Sequence, residues 1–272
     1  MPIAIETNTA KAQHYELPTS FFKLVLGRHL KYSSCYFRDN STTLEDAEVA
    51  MMELYCERAQ IQCGQTILDL GITGICNSVT QKAFIEEQYK ERQLSNVDIF
   101  LADINNFEMD RSFDRIISIG LFEHMKNCEA LLRKISMWMK EDTLLFVEHF
   151  CHKTFAYHFE DNNNNDDWMT RHFFYGGTMP SASLLLYFQE NVSVIDHWLV
   201  SGTHYARTSE EWLKRMDTNL ASIRPIFDAT YGRDASTKWL AYWRTLFISV
   251  AELFGYNNGE EWMMTQYLFK KK

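Results

Sequence analysis

The sequence predicts an α/β fold: a Rossmann-like, mainly parallel sheet covered by helices and joined to a smaller helical cap. Two observations predict it. Apolar strands alternate with amphipathic helices between residues 67 and 149, which is typical of a parallel sheet with helices on both faces. After a polar run at 160–167 the pattern changes to long helical segments. The predicted domains are therefore a core over residues 1–167 and a cap with a closing strand over 168–272.

Two helices are predicted before the first strand. Apolar residues from Phe21 to Leu30 have roughly helical spacing after Pro18. The run from Ser41 to Glu45 resembles a capped helix start, and the helix is expected to continue to Leu54.

The core elements follow in order. Strands are predicted at 67–70, 72–76, 96–101, 113–119 and 142–149, with helices at 79–92 and 128–139. The cap is expected to contain the segments 184–189 and 192–200, helices at 208–230 and 236–254, and a closing strand at 262–269.

The junction between the first two strands is anomalous. Ile67-Leu68-Asp69-Leu70-Gly71 is typical of the first strand of a nucleotide-binding domain, whose glycine opens a Gly-rich turn and a helix. Here a second apolar strand follows at Ile72, although parallel neighbours need a crossover of about a dozen residues. The sequence therefore predicts a core truncated at 71–72, whose two strands cannot pair as parallel neighbours.

Composition excludes several classes of protein. The net charge of −9 and the lack of a basic face argue against nucleic-acid binding and favour a cationic ligand. No run approaches the ~18 apolar residues of a membrane span, and Met1 to Tyr15 has no apolar segment of a signal peptide. Six cysteines without a paired spacing predict reduced thiols in the cytoplasm and no metal site.

The sharpest chemical motif follows the strand at 113–119. Gly120 ends the strand, and the adjacent Glu123 and His124 lie at its carboxyl end, the edge where open α/β sheets bind ligands. A Glu–His pair can accept a proton and favour a cation. The alternative is a glutamate at a helix start beside a histidine that has a structural partner.

The motif that contains Glu123 and His124, together with others along the chain, resembles plant alkaloid N-methyltransferases of the coclaurine/reticuline N-methyltransferase group, within the cyclopropane-fatty-acid-synthase family. The resemblance covers nearly all of residues 14–272. It rests on Leu44-Glu45-Asp46-Ala47-Glu48, Leu54-Tyr55-Cys56-Glu57-Arg58-Ala59, Phe122-Glu123-His124-Met125-Lys126-Asn127, Cys151-His152-Lys153-Thr154-Phe155 and Gly255-Tyr256-Asn257-Asn258-Gly259-Glu260-Glu261-Trp262.

The resemblance implies methyl transfer from S-adenosyl-L-methionine to the nitrogen of a small-molecule amine. Glu123 and His124 match the catalytic base pair that removes the proton of the substrate ammonium. Coclaurine-type members often carry glutamate where this chain has Gly120, and that departure leaves the substrate open.

The resemblance also implies cofactor and substrate residues. Those matching cofactor-binding positions are Tyr32, Ser33, Gly71, Asn77, Ser78, Gln81, Asp103, Ile104 and Ile119. Those matching substrate or bicarbonate positions of the family are Glu16, His149, Cys151 and Tyr205. Each alone fits a turn, capping or core role equally well. Of the family's Gly-Cys-Gly-x-Gly turn only Gly71 remains.

Three hypotheses stay open on the sequence. The first is an alkaloid-type N-methyltransferase. The second is a catalytically dead, splice-type variant that lacks the cofactor turn. The third is a lipid methyltransferase like cyclopropane-fatty-acid synthase, which the motif at 255–262 disfavours. A homodimer is left open.

Overall fold

The computed structural model describes residues 1–5, 17–70, 75–76, 79–94, 96–161 and 167–272. For residues 75, 76 and 79–81 it describes the backbone alone. The chain divides into two compact units that are interleaved along the sequence. The first contains residues 1–16, 55–199 and 265–272, and the second contains residues 17–54 and 200–264.

The strands are β1 (Ile67–Asp69), β2 (Ile75–Cys76), β3 (Phe100–Leu101), β4 (Phe113–Ile119), β5 (Met139–His152), β6 (Tyr157–His158), β7 (Thr178–Met179), β8 (Val192–Val200) and β9 (Trp262–Lys271). The α-helices are α1 (Thr19–Val25), α2 (Leu44–Arg58), α3 (Val79–Glu91), α4 (Cys128–Met137), α5 (Gly202–Thr218), α6 (Leu220–Tyr231) and α7 (Arg233–Gly255). This mixed α/β architecture confirms the predicted fold class.

A five-stranded sheet in the order β1-β4-β5-β9-β8 organises the first unit. β1 and β5 flank β4, and both pairs are parallel. β4 and β5 are strongly apolar because one face of the sheet packs on α4, where Ile116, Leu131 and Leu145 are fully buried in the same cluster. The carboxyl ends of β4 and β5 therefore lie side by side at one edge.

The junction at residue 71 separates two sheets. β1 pairs with β4, whereas β2 pairs with β3 in a separate two-stranded sheet, so β1 and β2 are not paired with each other. The predicted strand at 96–101 is thus shorter than expected and lies outside the main sheet. Ile67 and Leu101 expose more than two-fifths of their surface. Residues 71–74 lie outside the described part of the chain.

The second unit is mainly helical. Phe21 of α1 packs edge-on against Phe227 of α6 and Trp243 of α7, with ring centroids 5.2 and 5.0 Å apart. The single helix predicted at 208–230 is wrong, because Asn219 ends α5 and precedes α6. The segment 184–189 lies in the first unit, and its residues Leu184–Tyr187 form a 3₁₀ turn.

The predicted division at residue 167 follows chain order, whereas the compact units do not. The assignment of residues 1–167 as a cofactor-binding core and of residues 168–272 as a substrate cap stays a prediction. Among the described helices, none is long and apolar enough to cross a membrane.

Candidate active site

Glu123 lies at the carboxyl edge of the main sheet because the chain turns sharply after β4. Gly120 has φ +66°, a conformation that favours glycine, and its N–H donates to the Glu148 carbonyl (3.0 Å). The chain then enters a 3₁₀ turn over Phe122–His124. This turn buries Phe122 and Glu123.

The Glu123 carboxyl group is buried and incompletely bonded. Its side chain is 5% exposed, and Oε2 has no hydrogen-bond partner among the described residues. Burial, with a smaller contribution from the negative charge of Glu148, raises the pKa of Glu123 to about 8. At neutral pH the carboxyl group is therefore mostly protonated in the free protein.

His124 is the neighbour of Glu123 in the same turn. Burial lowers its pKa to about 4, since a charged imidazolium would lose hydration there. At neutral pH the ring is uncharged, so one of its nitrogens is able to accept a proton.

His149 on β5 carries a second incompletely bonded buried atom. Its Nδ1 lies 2.8 Å from the Phe150 carbonyl oxygen. Because a carbonyl oxygen only accepts, Nδ1 carries the proton and Nε2 holds the lone pair. Nε2 has no partner among the described residues. Burial also lowers the pKa of this ring to about 4.

The other predicted residues of this unit lie on β5, at the end of β4, or after β3. Cys151 on β5 is fully buried, and Ile119 ends β4 opposite Glu148. Asp103 closes a turn after β3, where its Oδ1 accepts from Asn105 N (2.9 Å). Ile104, in the same turn, packs into the core.

Tyr32, Ser33 and Tyr205 belong to the second unit. The Tyr32 ring packs 5.5 Å from the ring of buried Trp212, and Tyr205 packs 4.6 Å from Phe254. Ser33 Oγ accepts a hydrogen bond from Lys31 Nζ (2.6 Å).

Four predicted residues lie outside the described part of the chain: Glu16, Gly71, Asn77 and Ser78. Gln81 lies on α3, and its side chain is not described. Their predicted roles stay predictions.

The sequence analysis missed a buried carboxylate on β5. Glu148 is fully buried, with Tyr55 donating to Oε1 and Gln266 donating to Oε2. Arg58 in turn donates to Gln266 Oε1. A charged residue directly after the apolar run 144–147 was the available signal, because a buried charge needs partners.

The described residues fit the cofactor S-adenosyl-L-methionine only in part. The carboxyl edge of β4, with its open turn at Gly120, and the Asp103 turn after β3 suit a nucleoside-like ligand. The connection from β1 to β2 has five residues, 70–74, which is too short for a Gly-rich turn and a crossover helix.

Comparisons with known proteins agree with this fold. The model of the mycolic acid cyclopropane synthetase family matches residues 4–251. (S)-coclaurine N-methyltransferase of Thalictrum flavum subsp. glaucum is 52% identical, over 100% of this chain and 81% of the relative. Pavine N-methyltransferase of the same plant is 47% identical, over 100% of this chain and 82% of the relative.

A solved structure is equally similar. The crystal structure of a coclaurine N-methyltransferase bound to N-methylheliamine and SAH has a TM-score of 0.95 and 51% identity, covering 100% of this chain and 84% of that one. The cyclopropane synthase MmaA2 from Mycobacterium tuberculosis shares the fold, with a TM-score of 0.80 at 20% identity, over 98% of this chain and 99% of that one.

The alignment with the Thalictrum coclaurine relative also shows a length difference. It runs over 294 positions and this chain has 272 residues, so at least 22 positions of the relative have no counterpart here.

Proposed function

Because this chain belongs to the mycolic acid cyclopropane synthetase family, and within it to the plant alkaloid N-methyltransferases, we propose that its site is built for S-adenosyl-L-methionine-dependent N-methylation of a small alkaloid-type amine. One observation carries the proposal beyond the family. The buried carboxyl group of Glu123 has an oxygen with no partner among the described residues, at the sheet edge and next in sequence to the neutral imidazole of His124.

The reacting amine defines what these side chains must do. An ammonium has no lone pair, so it must lose a proton before its nitrogen can attack. The pKa of Glu123, about 8, lies near the working pH, where a carboxylate formed in a buried site is a better base than an exposed one. His124 is uncharged at that pH and can share the proton.

The cofactor would supply the electrophilic methyl group on its sulfonium. Asp103 and Ile119 would contact its nucleoside part, and Tyr32 and Ser33 its methionine end. His149, Cys151 and Tyr205 would line the substrate side. These assignments rest on the family resemblance, and mutation of each residue tests them.

We propose that the absence of a Gly-rich turn after Gly71 distinguishes this chain from its relatives. A helix N-terminus with its glycines normally supplies backbone donors to such a cofactor. We therefore propose that this chain binds S-adenosyl-L-methionine 10²–10⁴-fold more weakly than a version with the turn, which corresponds to about 3–5 kcal/mol. A catalytically silent derivative is the second candidate, and the positions without a counterpart favour it.

One paired measurement tests both candidates. A Gly-Cys-Gly-x-Gly turn and a following helix are inserted between Gly71 and Ile72, and cofactor binding and methyl transfer to a panel of alkaloid-type amines are measured for both chains. We expect the insertion to recover both. Micromolar binding by the chain without the insertion would contradict the predicted loss, and no transfer by the repaired chain would contradict the proposed reaction.

We also propose a cytoplasmic location, from the unpaired cysteine spacing. The exposed apolar residues in β1 and β3 are of the kind found at surfaces where proteins associate. Light scattering tests whether the chain forms a homodimer.

A further inference from the structure

Glu48 is a buried carboxylate of the second unit that the proposed reaction does not use. It lies on α2 and has no exposed surface. Its Oε2 accepts from His29 N (2.9 Å), and its Oε1 accepts from Lys31 N (3.1 Å). Both oxygens therefore hold the backbone of one loop, residues 27–31.

The carboxylate occupies the space that a side chain at residue 27 would take. An ideal Cβ added to Gly27 would lie 2.6 Å from Glu48 Oε1, closer than real Cβ atoms approach. The loop then passes through Leu30 at φ 55°, an uncommon conformation for a non-glycine residue. Glycine at 27 and glutamate at 48 thus depend on each other, although 21 positions separate them.

The contacts continue from this loop to the predicted cofactor pair. The backbone N–H of Lys31 donates to Glu48, while its side chain donates to Ser33 Oγ (2.6 Å) and to the Ser34 carbonyl oxygen. An unbroken set of hydrogen bonds therefore runs from α2 through Lys31 to Ser33. Tyr32 lies between them in sequence.

A buried carboxylate is a costly way to hold a loop. Burial raises the pKa of Glu48, which reflects the loss of hydration that its charge suffers. An apolar side chain could anchor a loop without that loss. Two hydrogen bonds to alternate amides do more than anchor, because they define the backbone path between residues 29 and 31.

We propose that Glu48 is a positioning residue, which acts through Lys31 to hold Tyr32 and Ser33 in the geometry that binds the amino-acid end of the cofactor. This inference rests on the proposed function. Holding a binding segment in place before the ligand arrives raises affinity, because the ligand does not have to order it.

The test compares two ligands that differ at one end. S-adenosylhomocysteine carries the amino-acid group, and 5′-methylthioadenosine lacks it. Binding of each is measured by ligand-observed NMR for the full chain, and by calorimetry for the chain with the restored turn. The variants are Glu48→Gln and Lys31→Met, and the control is Glu53→Gln, an exposed glutamate on the same helix.

We expect Glu48→Gln and Lys31→Met each to weaken the binding of S-adenosylhomocysteine about tenfold. The affinity for 5′-methylthioadenosine should stay unchanged in both variants. Glu53→Gln should change neither. Equal loss of affinity for both ligands would show a purely structural role and would overturn the proposal, as would unchanged affinity for both.

If neither starting chain binds S-adenosylhomocysteine, the proposed function itself fails. If Glu48→Gln does not fold, Lys31→Met decides alone.

A second measurement tests the contact itself. Hydrogen exchange at the amides of His29 and Lys31 should become faster in Glu48→Gln and stay slow in Glu53→Gln. Gly27→Ala should weaken S-adenosylhomocysteine binding in the otherwise native chain, yet add nothing in a Glu48→Ala background, where the carboxylate is gone. Additive effects of the two substitutions would contradict the proposed contact.

Discussion

The sheet edge around Glu123 and the loop at residues 27–37 differ in how their buried polar atoms are bonded. At the sheet edge Ser118 Oγ, Glu123 Oε2 and His149 Nε2 have no partner among the described residues. In the loop, Glu48 accepts two amides, and the Cys35 amide donates to Thr208 Oγ1 (3.0 Å).

The difference agrees with the roles proposed for the two regions: proton transfer at the sheet edge, and the holding of a cofactor-binding segment in the loop. A buried polar atom without a partner costs free energy, and at a binding site a ligand can supply the missing partner. A loop whose polar atoms are already bonded is fixed before any ligand arrives. The first region is therefore expected to respond to substitution in activity and pH dependence, and the second in affinity and stability.

The largest expected effect concerns catalysis at the sheet edge. In the chain with the restored turn, Glu123→Gln or His124→Ala should lower turnover 10²–10⁴-fold, because each removes part of the general base. Cofactor affinity should change little, and turnover of the restored parent should rise with pH through about 8, the pKa of Glu123. Steady-state kinetics and calorimetry check this, with exposed Glu129→Gln as the control. Normal turnover in both variants would remove the pair from the base role.

The next effect concerns stability and pH at the same residue. The pKa of Glu123 rises from its ordinary 4.5 to about 8 on folding, so the folded state holds more protons between these values. The free energy of unfolding should therefore fall as pH rises from 5 to 8. Glu123→Gln removes this dependence, so its stability relative to the parent should improve by about 3–4 kcal/mol across that window.

Urea unfolding at pH 5, 6.5 and 8 measures this change. His124 and His149 are present in both proteins, so their titration cancels in the comparison. A constant difference between Glu123→Gln and the parent at all three pH values would contradict the raised pKa.

The smallest effects contrast one hydroxyl from each region. Thr208 Oγ1 accepts from the Cys35 amide and donates to the His204 carbonyl oxygen (2.7 Å). Thr208→Val removes both of these hydrogen bonds and should lower the free energy of unfolding by about 1–3 kcal/mol. Ser118→Ala removes a hydroxyl that has no partner among the described residues, and should change stability by less than about 0.5 kcal/mol.

Thermal and urea unfolding of the two variants decides the comparison between the regions. Equal losses would mean that Ser118 Oγ is bonded in solution. The distinction between an incompletely bonded edge and a bonded loop would then fail.

Much of the fold could be predicted because the signals are local. Phe113–Ile119 was predicted as a strand with the bounds that the structure has, and Thr43 Oγ1 accepts from Asp46 N (3.2 Å) at the predicted start of α2. Cap residues and apolar periods act within a few positions of the chain, so the sequence displays them directly. The error at Asn219 also comes from reliance on local pattern. The helical spacing of apolar residues continues past Asn219, although the structure ends one helix and starts another there.

The sequence by itself determined the fold class, the family motifs and the adjacency of Glu123 and His124. The tertiary structure decided that β2 pairs with β3 outside the main sheet, that Glu123 is buried near the charge of Glu148, and that Glu48 closes on Gly27. Each of these depends on residues distant in sequence that meet after folding. Burial and nearby charge change pKa values through short distances in space, and the local sequence pattern does not contain those distances.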